Sequence, residues 1–205
     1  MEQARLESLL TTIDSLGVAS IRQLRRKHDL KSYRNACRVI TQLAPYINEA
    51  FYNREKVVYL NKKGRDLIGS TREITRSAQL EHHLLRNEVY LHYGCPPDWK
   101  TEHTLEAENP PARRVDYVVK GLTPATKIKA VCDAYFKRDA VAYVIEVDNT
   151  RDMADNKRKV RLYAELLRSM PGHTLVYFTK TPARKARLAE WVNGLGSVKT
   201  FDEIR

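Results

Sequence analysis

Residues 141–163 read VAYVIEVDNTRDMADNKRKVRLY, and the spacing inside this stretch decides the fold. Val141, Val144, Ile145 and Val147 form a β-branched run that predicts a strand, on which Glu146 and Asp148 sit two apart and share a face. Two carboxylates on a buried face cost free energy unless bases pair with them or they hold a cation such as Mg²⁺ or Mn²⁺. Further on, Asp152, Asn156, Lys159 and Tyr163 fall at i, i+4, i+7 and i+11, one stripe of a helix that can lean back over the strand. Acids on a strand and a lysine on the next helix are the parts needed to hydrolyse a phosphodiester. The same residues also suit a solvated strand end, where clustered charge is only structural.

Working outward, KAVCDAYF and VAYVIEVD flank Lys137–Ala140 and predict a hairpin. Antiparallel pairing is expected to put Asp133 opposite Val144, so that Asp133, Glu146 and Asp148 share one face with Asp133 diagonal to Glu146, close enough to share a metal. Asp116, in RRVDYVV, competes with Asp133 as the first acid, from a strand predicted around Val115–Val119. A helix over Leu80–Tyr93 carries His82, Asn87 and Glu88 on its polar sides, and a strand follows at Trp99–Leu105. After the central helix come an apolar strand HTLVYFTK, a helix in TPARKARLAEWVNGLG and a short strand SVKTF. Strands alternating with helices imply a mixed sheet with helices packed on it.

The first third of the chain has another rhythm. Leu6, Leu9, Leu10, Ile13 and Leu16 mark a helix stopped by Gly17; Ser20 caps a second, and a third runs over Ser32–Leu43. Two extended runs, INEAF and KVVYL, surround Asn53-Arg54-Glu55 as a second hairpin. Three helices and a hairpin make a winged helix, with a plain helical bundle as the alternative. The candidate DNA contacts are Arg25, Arg26 and Lys27 on the second helix, Tyr33, Arg34, Asn35 and Arg38 on the third, and Arg54 and Lys56 on the hairpin. Residues 69–78 are polar enough for a linker, which divides the chain into a DNA-binding domain at 1–69 and a second domain at 79–205.

Charge agrees with this division. The chain carries a net +11 with a pI near 9.6, and residues 1–80 hold 15 Lys or Arg against 8 Asp or Glu. Such an excess favours an anionic partner, duplex DNA before a membrane. Apolar runs stay well short of the ~18 residues of a membrane span, and no secretory leader is visible in MEQARLESLL. Cys37, Cys95 and Cys132 are odd in number and widely spaced, which points to reduced thiols and a cytoplasmic protein.

The order of a basic winged helix, His82-x-Leu84-x-x-Asn87-Glu88, Trp99-x-x-Glu102, Cys132-Asp133-Ala134, Ile145-Glu146-Val147-Asp148 and Lys159-x-x-x-Tyr163 resembles the replication-relaxation family, closest to its MobC-type mobilisation proteins. The resemblance implies a restriction-endonuclease-like α/β (α+β) domain of the PD-(D/E)XK type after the winged helix, its mixed β-sheet flanked by helices. It implies Mg²⁺- or Mn²⁺-dependent nicking or cleavage of DNA at a transfer or replication origin, alongside other mobilisation proteins. It also implies catalytic roles for Asp133, Glu146, Asp148 and Lys159, with Glu88 and His82 near the acids, and metal ligation by Asp133, Glu146 and Asp148. The chain departs from the nuclease motif in having Cys132-Asp133 for Pro-Asp and Glu146-Val147-Asp148 for Glu-x-Lys. The lysine then comes from the following helix, where Lys159 fits the stripe better than Lys157. A DNA-binding accessory that keeps the nuclease fold without its activity is the alternative. Tyr163 reads as a core-facing tyrosine rather than a nucleophile.

Overall fold

The structure is a computed structural model that describes residues 2–74, 79–108 and 127–204. It separates into two compact units, the first ending at Cys95 and the second running from Pro96 to Ile204. The predicted strand around Val115–Val119, and with it Asp116, lies outside the described residues. No helix among the described residues is long and apolar enough to cross a membrane.

The first unit is built as its hydrophobic spacing predicts. Helix α1 (Gln3–Leu16) buries Leu9, Leu10, Ile13 and Leu16, and a short strand β1 (Ala19–Ser20) leads into α2 (Ile21–Lys27). Ser20 and Gln23 form a reciprocal capping box that satisfies backbone donors at the start of α2. Helix α3 (Tyr33–Thr41) is capped by Ser32 and buries Ala36, Val39 and Ile40. Strands β2 (Ile47–Tyr52) and β3 (Glu55–Leu60) follow, and the antiparallel sheet has the order β1-β3-β2. Helix α4 (Lys62–Ile68) starts at the Asn61 cap, and an added Cβ at Gly64 would stand 2.2 Å from the Tyr46 carbonyl oxygen, so that turn accepts only glycine.

Helix α5 (Leu80–His92), expected to open the second domain, packs within the first unit. Its buried face supplies Leu80, Leu85 and Val89, and Asn87 donates to the Val18 carbonyl at 2.6 Å. Gln23 of α2 in turn donates to the Leu84 carbonyl at 2.9 Å. A helix with this much buried polar pairing is held where its partners are.

The second unit is a five-stranded sheet of order β4-β5-β6-β7-β8: β4 (Lys100–Glu108), β5 (Lys127–Arg138), β6 (Val141–Asp148), β7 (His173–Thr179) and β8 (Gly196–Thr200). The β4-β5 and β5-β6 pairs are antiparallel, and β6-β7 and β7-β8 are parallel, joined through α6 (Met153–Arg168) and α7 (Pro182–Val192). Parallel neighbours need such crossovers, whereas antiparallel ones can use a tight turn. Val160, Tyr163 and Leu166 of α6 pack with Val144, Leu175 and Tyr177 in the core of this unit.

The β5-β6 register differs from the sequence expectation by two residues. Arg138 pairs with Val141 and Tyr135 with Val144, so the turn is Asp139-Ala140 alone. Asp133 and Glu146 are therefore the next facing positions after the Ala134–Ile145 pair, opposite rather than diagonal. Both turn residues take positive φ, 49° and 64°, without a glycine to announce the turn.

Candidate functional site

Glu146 and Asp148 occupy alternate positions of β6, which lies between β5 and β7, and are 1% and 2% exposed. Buried carboxylates require partners, and the two acids have acquired different ones. Lys159 Nζ donates to Glu146 Oε2 at 2.7 Å, and the Tyr163 hydroxyl donates to Glu146 Oε1 in a short bond. Three of the stripe positions on α6 thus reach β6: Tyr163 and Lys159 to Glu146, and Asn156 to Asp148 Oδ1 at 2.9 Å. The fourth, Asp152, caps the helix by accepting from the Ala154 amide at 2.6 Å. Lys157 turns elsewhere, its ammonium 5.5 Å from the centre of the Trp191 ring.

Asp133 completes the Glu146 end of the cluster. The β5-β6 ladder stops at Ala134–Ile145, which leaves the Val147 amide without a strand partner; Asp133 Oδ2 accepts it at 2.7 Å. Burial first, then the charge of Asp133, pushes the Glu146 carboxyl up to about 8 against the downward pull of Lys159 and Tyr163. Burial and the neighbouring Glu146 raise the Tyr163 phenol far above its ordinary value, so it stays protonated and donates. A phenol in that state is a poor nucleophile.

Asp148 is enclosed differently. Arg184 of α7 grips it with both arms, Nε to Oδ2 at 2.6 Å and NH2 to Oδ1 at 2.8 Å. Asn156 donates to Oδ1, and Thr179 Oγ1 donates to Oδ2 at 2.9 Å. Four donors fill the four acceptor directions of a carboxylate. Burial alone would raise the Asp148 pKa, but these hydrogen bonds outweigh it and hold the group below the usual carboxylate range.

This pairing bears on metal binding. Among the described residues, no group of three or more His, Cys, Asp or Glu side chains is arranged to hold a metal ion. Asp148, expected as a ligand, has no acceptor direction left for one. Asp133 and Glu146 fit better: facing acids whose repulsion raises the pKa of one are relieved by a divalent cation. Mg²⁺ is commonly held by one or two carboxylates with waters and substrate phosphate supplying the rest.

The two remaining catalytic candidates belong to the first unit. Glu88 accepts from Arg26 NH1 at 2.6 Å and from Gln23 Nε2 at 2.8 Å, and His82 is half-buried on the same helix. The Glu88 partners lie on α2, which ties its carboxylate within the first unit.

The DNA-binding candidates divide by what already holds them. Arg34, Arg38 and Tyr33 are exposed on α3, and Arg54 is exposed at the hairpin turn. Asn35 faces inward instead, donating to the Leu30 carbonyl at 2.9 Å and accepting from Arg38 at 3.0 Å. Lys56 is tied to Glu49 at 2.7 Å, Arg26 to Glu88, and Lys27 lies 5.4 Å from the Tyr90 ring centre. Arg25 joins Tyr33 and Arg22 in lining an open groove of about 380 Å³. Arg22 is not among the DNA contacts that the sequence suggests. Arg184 and Thr179 had no signal at all, lying 36 and 31 positions from the Asp148 they bind.

Comparison with known proteins gives one family. The replication-relaxation family model matches residues 10–174, which takes in both units and the Asp133, Glu146 and Lys159 cluster. No curated protein matches the chain. The crystal structure of protein VC1899 from Vibrio cholerae is similar at 12% identity and a TM-score of 0.38, over 98% of this chain and 49% of that one. The chain thus spans about half the length of that protein.

Proposed function

The chain belongs to the replication-relaxation family, and from that premise we propose that it nicks or cleaves DNA during plasmid or mobile-element replication or mobilisation. The observation that carries the proposal is the Lys159 ammonium 2.7 Å from a buried Glu146, whose charge is further opposed by the facing Asp133. Two acids and a cation gathered in a buried site of a basic protein are suited to a phosphodiester.

In this reading Asp133 and Glu146 would hold Mg²⁺ or Mn²⁺, which when bound supplies charge neutralisation at the phosphate and a more acidic water. Lys159 offers its ammonium to the charge that develops on the phosphoryl oxygens. Tyr163 fixes Glu146 from the other side and keeps the carboxylate oriented. The winged helix supplies duplex affinity through Arg34, Arg38 and Arg54, and it selects the site, a transfer or replication origin, alongside other mobilisation proteins.

Supercoiled plasmid DNA tests this reading. The full chain with Mn²⁺ or Mg²⁺ converts it to the open-circular form, and EDTA prevents the conversion. A second reading, a DNA-binding accessory without nuclease activity, is favoured by one observation. Asp148 replaces the lysine of the nuclease motif and is fully engaged by Arg184, Asn156 and Thr179. Duplex binding without conversion under any divalent metal selects this reading.

A further inference from the structure

We propose that Arg151 is a phosphate-contacting residue of the acid site, and that Asp148 and Arg184 are positioning residues that hold the loop presenting it. The proposal deepens the reading of Asp133, Glu146 and Lys159 as a site for DNA and rests on it.

The loop 149–152 joins β6 to α6, directly after the acids. Thr150 adopts φ 67°, a conformation that a β-branched side chain rarely takes and that persists only where the surroundings impose it. The surroundings here are specific. At one end Asp152 caps α6 through the Ala154 amide; in the middle Arg184 NH2 donates to the Arg151 carbonyl oxygen. That guanidinium cannot swing, because its Nε and NH2 are both engaged by the buried Asp148 carboxylate. Asp148 thus pins the loop backbone through one rigid fork.

The pinned backbone aims a cation at the acids. Arg151 NH1 lies 3.9 Å from Glu146 Oε2, too far for a hydrogen bond, and the side chain is 38% exposed. Among the described residues the Arg151 guanidinium donates no hydrogen bond, so its planar fork is available to an incoming oxyanion. The neighbourhood holds further unused polar atoms. Asn149 Oδ1, Asn156 Oδ1 and the Tyr177 hydroxyl are buried without a hydrogen-bond partner among the described residues. Tyr177 stands beside Glu146 in the β6-β7 register. Buried polar atoms without partners in one neighbourhood indicate groups that come from outside the chain. A phosphodiester, whose oxygens accept from the part-exposed Arg151 fork, has the chemistry to meet the site from outside, with water for the enclosed Tyr177 hydroxyl and the two amide oxygens.

Fluorescence anisotropy of the full chain on a short labelled duplex, over a range of salt concentrations, tests the proposal. Arg151→Ala should weaken binding roughly tenfold at low salt and reduce the slope of log Kd against log salt by about one phosphate contact. Arg151→Lys should restore the slope. Arg184→Lys keeps a cation against Asp148 and so preserves the fold, but it cannot also reach the Arg151 carbonyl. It should reproduce the loss seen in Arg151→Ala, and the double variant should be no weaker than either single one. An unchanged salt slope in Arg151→Ala would overturn the phosphate contact. Additive losses in the double variant would overturn the positioning role, because a merely structural Arg184 acts independently of Arg151. Nicking, followed in parallel on supercoiled plasmid, separates this inference from its parent: wild type that never nicks defeats cleavage, whereas the salt slope judges Arg151 alone.

Discussion

Asp133 faces Glu146 across the end of the β5-β6 ladder, where the Asp133 carboxylate accepts the Val147 amide at 2.7 Å. Two acids are thereby brought together at the point where the strands cease to pair, and α6 brings Lys159 down on the same spot. A ladder that continued through Asp133 would satisfy the Val147 amide with backbone and leave the carboxylate free to turn away.

Lys159 and Lys157 should behave oppositely. Loss of one electrostatic donor to a transition state costs two to three orders of magnitude, so Lys159→Ala should slow nicking by about 10²- to 10³-fold. Lys157→Ala should be nearly silent, because its ammonium lies against Trp191. Nicking rates of the two variants under saturating Mn²⁺ check this.

Asp148→Asn should leave Mn²⁺ affinity unchanged and lower stability. It strips a buried partner from Arg184, a loss of about 3 kcal/mol for breaking a buried ion pair by removing one member. Calorimetric titration with Mn²⁺ and urea unfolding of the variant check the two halves. A large loss of Mn²⁺ affinity with an intact fold would return Asp148 to the metal site.

The site was legible in the sequence where its spacing is local and obscure where it is not. The i, i+4, i+7, i+11 stripe from Asp152 to Tyr163 placed Asn156, Lys159 and Tyr163 over β6, because helical periodicity over so few turns leaves little freedom. The hairpin register came out two residues off because Asp139 and Ala140 make the turn without the glycine or asparagine that usually marks one. Arg184 escaped notice because it meets Asp148 only after a strand and a crossover have brought α7 back. In the first unit the helix and hairpin spacing was plain. The placement of α5 was hidden in polar contacts, Asn87 to Val18 and Gln23 to Leu84, that no periodicity reveals.

His83 should make stability depend on pH. Burial first, then Arg86, Arg72 and His82, lowers its imidazole to about 4, and Arg86 NH2 donates to its Nδ1, which must be unprotonated to accept. The unfolded chain binds a proton at its ordinary value near 6.5. The folded state therefore binds fewer protons between the two values, and the His83 contribution is lost as pH falls from about 6.5 towards 4. Wild type and His83→Gln should diverge by about 2 kcal/mol across that window, after discounting for solvent screening. Urea unfolding at a series of pH values measures the difference.

Within the first unit, Arg34→Ala should weaken duplex binding and lower the salt slope by about one contact. Asn35→Ala should instead cost about 1 kcal/mol of stability, because its amide serves the Leu30 carbonyl and Arg38 rather than a base edge. Anisotropy titrations and thermal unfolding separate the two effects.

The central claim is that Glu146, with Asp133 and Lys159, forms a metal-assisted DNA-cleaving site, and Glu146→Gln tests it most directly. This nearly isosteric change keeps an acceptor for Tyr163 while removing the charge that would hold the metal. The measurement is the rate of supercoiled plasmid nicking in Mn²⁺, with duplex affinity followed in parallel. The account predicts a wild type that nicks and a Glu146→Gln variant that binds duplex as tightly yet nicks no faster than the metal alone; equal rates in the two proteins would contradict it.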